Sequence, residues 1–345
     1  MFERRAKRPL IVPIFIPNQG CPHRCIFCEQ EKITAQNDQP LDASAVKNIL
    51  DLAMQSPRYH IERNPEVAFY GGTFTSLPLI KMKALLKAVA PYLQEGFFKS
   101  VRISTRPDAI DNEKLELLRQ FGVTTVELGA QSMDDEVLEL TRRGHRAAHT
   151  IKSTHLLREH GFKVGLQLMP GLPGDTEEKF MNTVEEVITL RPDMVRLYPT
   201  VVIRGTALAR WYREKRYRPL RIEEAAKICR ESCIRLEDDG IPVIRIGLMS
   251  SPSLLMKGQI VAGPWHQAFG FLVRSEIYHK KIEPFLPKPG EAKGIRLRVP
   301  QREIPLLRGY RNSGLRLIQH RTGARVLAVS PDESLSFGEI GIEKA

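Results

Sequence analysis

The chain has 345 residues, of which 42% are hydrophobic and 27% are charged, and its net charge is +12 at neutral pH. Apolar runs recur along the whole length, which excludes general disorder and suits one large domain with or without an appendage. The most apolar early stretch, residues 10–16, is too short to cross a membrane. Because the first residues also lack an apolar signal-peptide core, we expect a cytoplasmic protein with no membrane partner.

The pattern of a strand followed by a helix repeats along residues 10–239. The predicted strands are residues 10–16, 67–70, 101–104, 124–128, 163–169 and 194–199. The predicted helices are residues 43–54, 80–92, 112–121, 134–160 with a break at Gly144, 176–190 with Asp175 as N-cap, and 222–239. This alternation predicts parallel strands joined by right-handed crossovers. Polar and glycine-rich motifs follow nearly every strand, which favours a partial (β/α)6 TIM-like barrel over a doubly wound sheet.

The rhythm changes after Ile246, so we divide the chain into a core, residues 1–246, and a basic α/β appendage, residues 247–345. The appendage is predicted to contain a helix over residues 265–285, with Phe269, Leu272, Val273 and Ile277 on one face. Strands at residues 294–300 and 325–329 flank a helix at 313–320. Residues 281–330 hold eleven basic and three acidic side chains, which makes RNA a candidate partner. The alternative is an ordinary solvated surface.

Three cysteines, Cys21, Cys25 and Cys28, form a C-x3-C-x2-C motif just after the first predicted strand. Three thiolates at this spacing can hold three irons of a 4Fe-4S cluster and leave the fourth iron open. Two alternatives remain. Structural zinc would need a fourth ligand such as His23, and a ferredoxin-type cluster would need a fourth cysteine, which does not occur before residue 229.

The remaining cysteines, Cys229 and Cys233, lie on the apolar face of a predicted helix. We expect them to be buried as small hydrophobic residues, with a role as auxiliary metal ligands as the alternative. His266 lies at a predicted helix start, where an ordinary cap or packing role competes with a chemical one.

The cysteine motif, with Phe27 before its third cysteine, resembles the radical S-adenosylmethionine (SAM) superfamily. Further motifs resemble one branch, the radical SAM domain of the Elongator catalytic subunit and its bacterial and archaeal relatives. These motifs are residues 69–75, 104–108, 129–132, 143–145, 170–174 and 198–206. The resemblance covers residues 10–217. Too little chain follows it for an acetyltransferase domain, so acetyl transfer is not implied.

The resemblance implies a 4Fe-4S cluster held by Cys21, Cys25 and Cys28, with SAM bound to the open iron. The implied SAM contacts are Phe27, Gly71, Gly72, Thr73, Ser104, Gln131, Arg143 and Gln167. Ser104 departs from the pattern, because relatives often have a glutamate there that contacts the ribose. Arg143 suits the SAM carboxylate, since a planar guanidinium pairs well with a carboxylate.

The implied reaction is reductive cleavage of SAM to a 5′-deoxyadenosyl radical, which abstracts hydrogen from a substrate. An external one-electron reductant of the flavodoxin or ferredoxin type is then required. Tyr198 and Arg204, at and after the sixth strand, are the expected substrate-facing residues. RNA is one candidate substrate, and a small metabolite or tetrapyrrole is the alternative. A metal-stabilised binding protein without catalysis is a third hypothesis.

Overall fold

A computed structural model describes residues 9–22, 24–35 and 41–345. His23, considered above as a zinc ligand, and the N-terminal residues 1–8 lie outside the described residues. Packing of Cα atoms divides the chain into two units. The first reaches Arg221 and continues through Leu236–Trp265, and the second comprises Ile222–Arg235 and His266–Ala345. Within the described ranges, no helix has both the length and the apolar character that a bilayer crossing requires.

The first unit is built on a parallel sheet. Its strands are β1 Ile11–Phe15, β2 Glu66–Tyr70, β3 Ser100–Thr105, β4 Val123–Gln131, β5 Lys163–Leu168, β6 Met194–Leu197, β7 Val202–Ile203, β8 Val243–Ile246 and β9 Ile260–Ala262. Its helices are α1 Gln30–Thr34, α2 Ala43–Met54, α3 Leu79–Gln94, α4 Asn112–Gln120, α5 Asp135–Leu140, α6 Ala147–Glu159, α7 Glu177–Leu190, α8 Ala207–Arg213 and α10 Pro252–Leu255. Helix α9, Ile222–Asp238, runs from the second unit into the first.

Seven strands pair in the order β1-β2-β3-β4-β5-β6-β8, and every neighbouring pair is parallel. The predicted partial α/β barrel is therefore confirmed, with β8 as a seventh strand that the sequence reading did not predict. Strands β7 and β9 form a separate antiparallel pair. Because all seven strands run the same way, the loops that follow them meet at one edge of the sheet.

Local side chains explain where several helices begin. Asp42, Asp111 and Asp134 each accept a hydrogen bond from a first-turn amide of α2, α4 and α5. The predicted N-cap Asp175 is wrong by one residue, because the Thr176 hydroxyl accepts from the Lys179 amide instead. The predicted helix over residues 134–160 is two helices, separated by residues 141–146.

The second unit packs helices against a small mixed sheet. Its elements are α11 Phe269–Ile282, β10 Gly294–Val299, α12 Ile304–Arg308, α13 Ser313–Thr322, β11 Arg325–Pro331 and β12 Gly341–Lys344. Strand β10 pairs in parallel with β11 and antiparallel with β12. On α11, Phe269 and Val273 are buried as predicted, but Tyr278 and Ile282 complete the buried face in place of Leu272 and Ile277.

Candidate active site

The three clustered cysteines occupy the loop between β1 and α1. Cys25 is buried, and Cys21 and Cys28 are half-buried. Burial, together with the neighbouring thiols of Cys25 and Cys21, raises the pKa of Cys28 to about 12. Burial also raises the pKa of Cys21. The Cys21 and Cys28 thiols therefore resist ionisation, and a positively charged metal group would hold them as thiolates.

The turn after β2 packs directly against the cysteine loop. Gly71 and Gly72 have positive φ angles of +74° and +56°. A Cβ atom on Gly72 would lie 2.3 Å from the carbonyl oxygen of Gln19. The next amide, that of Thr73, donates to the same oxygen at 2.8 Å, and its hydroxyl oxygen lies 3.4 Å from the Cys21 sulfur. Only glycine at position 72 allows the two loops this approach.

Gln30, the first residue of α1, joins the same two loops. Its Oε1 atom accepts a hydrogen bond from the Asn18 amide at 2.6 Å and another from the Gly72 amide at 2.6 Å. The sequence reading missed this residue, because a single glutamine at a helix start carries no distinguishing pattern. Its role is to fix the cysteine loop against the Gly71-Gly72 turn.

Arg143 reaches from the segment between α5 and α6 to the middle cysteine. The side chain is buried, with its NH1 atom donating to the Cys25 sulfur at 2.9 Å. Its NH2 atom donates to the Gly129 carbonyl oxygen at 2.6 Å. Arg143 therefore places a charged hydrogen-bond donor against a sulfur that would bind iron.

Two glutamines meet where β4 and β5 end. Gln131 is buried, and its φ angle of +70° is unusual for a residue with a side chain. The Gln167 Nε2 atom donates to the Gln131 Oε1 atom at 3.0 Å. A Cβ atom on Gly129 would lie 2.8 Å from the Gln131 Nε2 atom and 3.4 Å from Arg143 NH2. Gly129 therefore provides the space in which both predicted side chains sit.

The remaining predicted residues are more dispersed. Phe27 is buried in an apolar cluster that also contains Cys25. Ser104 is half-buried and faces the same side of the sheet as its register partner Glu127. Tyr198 follows β6, and its hydroxyl accepts from Arg196 NH1 at 3.1 Å.

Arg204 lies apart from these strand ends. It is exposed, and an added Cβ atom on Gly258 would lie 2.8 Å from its NH2 atom. Its carbonyl oxygen accepts from Lys32 Nζ at 2.6 Å. These contacts associate Arg204 with α1 and with the turn before β9.

The sequence reading missed a buried charged network inside the sheet. The Oε1 atom of Glu127 accepts from Arg102 NH1 at 2.8 Å and from Arg196 NH2 at 2.8 Å. Arg102 also donates to Glu66 Oε2 through NH2 at 2.7 Å and through Nε at 3.0 Å. A weak signal was present, because each of these residues is the only charged one in its strand. Charges in strands are more often solvent-facing, so only the register shows that these converge.

This network orients two phenols towards the edge where the loops meet. Arg196 NH2 donates to the Tyr70 hydroxyl at 2.6 Å, and its guanidinium lies 4.9 Å from the Tyr70 ring centre. Arg196 also holds Tyr198, as described above. Burial and the Glu127 carboxylate raise the pKa of Tyr70, so its hydroxyl stays protonated across the physiological range.

The chain is similar to known proteins in both sequence and fold. Residues 15–187 match the Radical SAM superfamily, and residues 192–279 match the Radical_SAM C-terminal domain. A tRNA uridine(34) acetyltransferase of Dehalococcoides mccartyi is 34% identical over 232 residues, covering 58% of this chain and 50% of that protein. Elongator complex protein 3 of Mus musculus is 29% identical over 258 residues, covering 62% and 47%.

Solved structures share the fold as well. The archaeal Methanocaldococcus infernus Elp3 with an N-terminal deletion superposes with a TM-score of 0.60 at 24% identity, covering 80% of this chain and 63% of that one. The chain spans about half the length of the curated relatives named above.

The fold and the cysteine loop define an iron–sulfur enzyme with a partial parallel barrel. The chain belongs to the radical SAM superfamily, whose members use a 4Fe-4S cluster and SAM and generally need an external electron donor. The residues present suit the cluster, since three adjacent thiols and one donating arginine are its expected setting. Among the described residues, no three His, Cys, Asp or Glu side chains converge on a single metal ion. A cluster does not require such convergence, because each thiolate binds a different iron.

Proposed function

We propose that this radical SAM enzyme acts on RNA, and that the residues gathered around the cysteine loop bind its cofactors. The support for the cofactor assignment is the contact of that loop with the Gly71-Gly72 turn and with Arg143. Cys21, Cys25 and Cys28 would hold the cluster. A bound and reduced cluster would supply one electron for SAM cleavage, the chemistry that would provide a radical for abstracting hydrogen from the substrate.

The surrounding residues would position SAM and exclude water. Gly71, Gly72 and Thr73 would offer backbone groups to the SAM amine, since two of the three residues lack a side chain. Arg143 donates to the Cys25 sulfur, and its guanidinium also offers N–H groups to the SAM carboxylate. The remaining proposed SAM contacts are Phe27, Ser104, Gln131 and Gln167. Tyr198 and Arg204 stay proposed substrate contacts.

The observation that supports RNA is the charge of the second unit. All eleven basic residues between positions 281 and 330 are exposed. Of the three acidic residues in that span, Glu303 is fully buried, and Glu283 and Glu291 are paired with Arg321 and Lys344. The exposed charge is therefore almost entirely positive, as a phosphate backbone requires.

An aromatic side chain lies within this basic surface. Tyr310 is 37% exposed, and the Arg311 guanidinium lies 5.4 Å from its ring centre. Arg308 and Arg316 are exposed nearby in sequence. Single-stranded RNA bases stack on rings and guanidinium planes of this kind, which small-metabolite binding would not require. The names of the curated relatives make tRNA the first RNA to test.

Binding is tested with a tRNA transcript over a range of salt concentrations. A variant with Arg308→Glu, Arg311→Glu and Arg316→Glu is compared with a control in which exposed Lys47, Lys83 and Lys87 of the first unit become glutamate. A plot of the logarithm of the tRNA association constant against the logarithm of salt concentration has a negative slope. We expect the magnitude of this slope to decrease by about two to three in the first variant only. Equal slopes in the two variants would contradict RNA binding by this surface.

Activity is tested with the same variants. Anaerobic, reconstituted protein is mixed with dithionite and SAM, and 5′-deoxyadenosine is measured with and without tRNA. We expect tRNA to stimulate its formation in wild-type protein and in the lysine control but not in the arginine variant. Stimulation that survives the arginine substitutions would indicate a substrate other than RNA.

A further inference from the structure

A second basic surface lies in the first unit, on α8 and the segment after it. Residues 207–221 contain six basic side chains and one acidic side chain. All six basic side chains are exposed: Arg210, Arg213, Lys215, Arg216, Arg218 and Arg221. The single acidic residue, Glu214, is paired with Arg216 at 3.1 Å. We call these exposed side chains the α8 face.

The α8 face lies one layer of side chains away from the cysteine loop. The amide of Leu208 donates to the carbonyl oxygen of Ile26, between the second and third cysteines, at 2.8 Å. Leu208 is buried in the apolar cluster that contains Cys25 and Phe27, and Trp211 of α8 packs against that cluster. A molecule resting on α8 is thus close to the cysteine sulfurs without entering the barrel.

The α8 face also has a concave, partly apolar portion. A cavity of about 330 Å3 is lined by Leu140, Leu172, Trp211 and Tyr217, with Arg216 and Arg218 at the same site. Asp175 also lines it, and its Oδ2 atom accepts a hydrogen bond from the Gly171 amide at 2.9 Å. The Arg216 guanidinium stacks over the Trp211 ring at 4.8 Å. A partly apolar recess beside exposed cations suits an acidic protein partner with an apolar contact.

We propose that the α8 face docks an acidic one-electron donor protein of the flavodoxin or ferredoxin class. This inference rests on the proposed function, since the enzyme must receive an electron from outside. In the step itself the donor loses one electron and the cluster gains it, and no covalent bond forms or breaks. Because electron transfer slows steeply with distance, the donor must bind close to the cluster, and Leu208 of α8 packs in the same apolar cluster as Cys25. The α8 face adds positive charge that complements an acidic donor, whereas RNA needs only an extended basic surface.

The test uses reconstituted protein and a reduced flavodoxin as the donor. A variant with Arg210→Glu, Arg213→Glu and Lys215→Glu is compared with a control in which Lys47, Lys83 and Lys87, three exposed residues of the first unit outside both basic surfaces, become glutamate. Two quantities are measured, the dissociation constant of the flavodoxin complex and the second-order rate of cluster reduction followed by absorbance. A third variant with glutamine at the three α8 positions separates loss of charge from charge repulsion.

We expect the α8 glutamate variant to bind flavodoxin at least tenfold more weakly and to be reduced at least tenfold more slowly, with smaller effects for glutamine. The control should keep both values. Dithionite, a small reductant, should reduce every variant equally and support equal SAM cleavage. An unchanged flavodoxin rate in the α8 variants would overturn the proposal. The proposal would also be overturned if the α8 variants lost tRNA binding and kept flavodoxin binding. Absence of SAM cleavage with dithionite in every protein would instead refute the proposed function.

Discussion

Replacing Gly72 with alanine tests whether the contact between the cysteine loop and the Gly71-Gly72 turn builds the cluster site. At φ = +56°, alanine costs about 1–2 kcal/mol in backbone strain alone. The added Cβ atom would also lie 2.3 Å from the Gln19 carbonyl oxygen and 2.5 Å from that of Ile16. Since both contacts are with backbone, the loops must separate, which adds about 1–3 kcal/mol. We expect a total loss of about 2–5 kcal/mol in unfolding free energy.

Gly96→Ala is the matched control. Gly96 has a similar φ of +78°, but an added Cβ atom there meets nothing within 4 Å. Its loss should be limited to the backbone strain, about 1–2 kcal/mol. The assays are anaerobic urea unfolding of reduced protein and iron content after reconstitution. Equal stability losses in the two variants, with full iron in Gly72→Ala, would refute the claim that this contact shapes the site.

Three further substitutions test separate parts of the account. Glu127→Gln leaves buried Arg102 and half-buried Arg196 without their shared carboxylate and should cost about 3–5 kcal/mol in urea unfolding. Arg143→Lys keeps the charge but loses the paired donors, so the dissociation constant for SAM should rise about tenfold or more in equilibrium binding. Burial raises the pKa of Asp175 to about 7, and the folded protein therefore binds a proton that the unfolded chain releases above pH 4. Stability from this group falls as pH rises through 7, so Asp175→Asn should stabilise the protein at pH 8 more than at pH 5.

A specific result would contradict each of these three predictions. Glu214→Gln, in an exposed pair, should cost under about 1 kcal/mol. Equal losses of unfolding free energy in Glu127→Gln and Glu214→Gln would refute the stabilising role of the Glu127 network. Unchanged SAM affinity in Arg143→Lys would remove Arg143 from the SAM site. A difference between Asp175→Asn and wild type that stays constant between pH 5 and pH 8 would show that Asp175 does not titrate as described.

Most of the barrel could be predicted because its strands and helices have distinct periodicities. Strand β8 could not, since its four residues include Arg245 and only Val243 is buried. Three of the four residues are β-branched, but so short a run is recognised as a strand only through its pairing with β6. The helix break after α5 was predicted at Gly144 but extends over six residues, because the segment crosses to bring Arg143 to Cys25.

Some residues of the candidate site could also be predicted from the sequence, and others could not. Cysteine and glycine spacing is a local property, so Cys21, Cys25, Cys28 and the Gly71-Gly72 turn could be found in the sequence. The network of Glu127 could not, because its members come from different strands and meet only through the sheet register. Gln30 was likewise invisible, since its importance lies in two backbone amides that folding brings within reach.

The most direct test of the central claim is anaerobic SAM cleavage by reconstituted protein. Wild type, Cys25→Ala and Cys229→Ala are each reduced with dithionite, given SAM and tRNA, and assayed for 5′-deoxyadenosine by chromatography. Cys229 is a matched control, because it is fully buried on α9 and belongs to no proposed ligand set. We expect 5′-deoxyadenosine from wild type and from Cys229→Ala and none from Cys25→Ala. Equal product from Cys25→Ala, or none from wild type that contains a reduced 4Fe-4S cluster by EPR, would contradict the central claim.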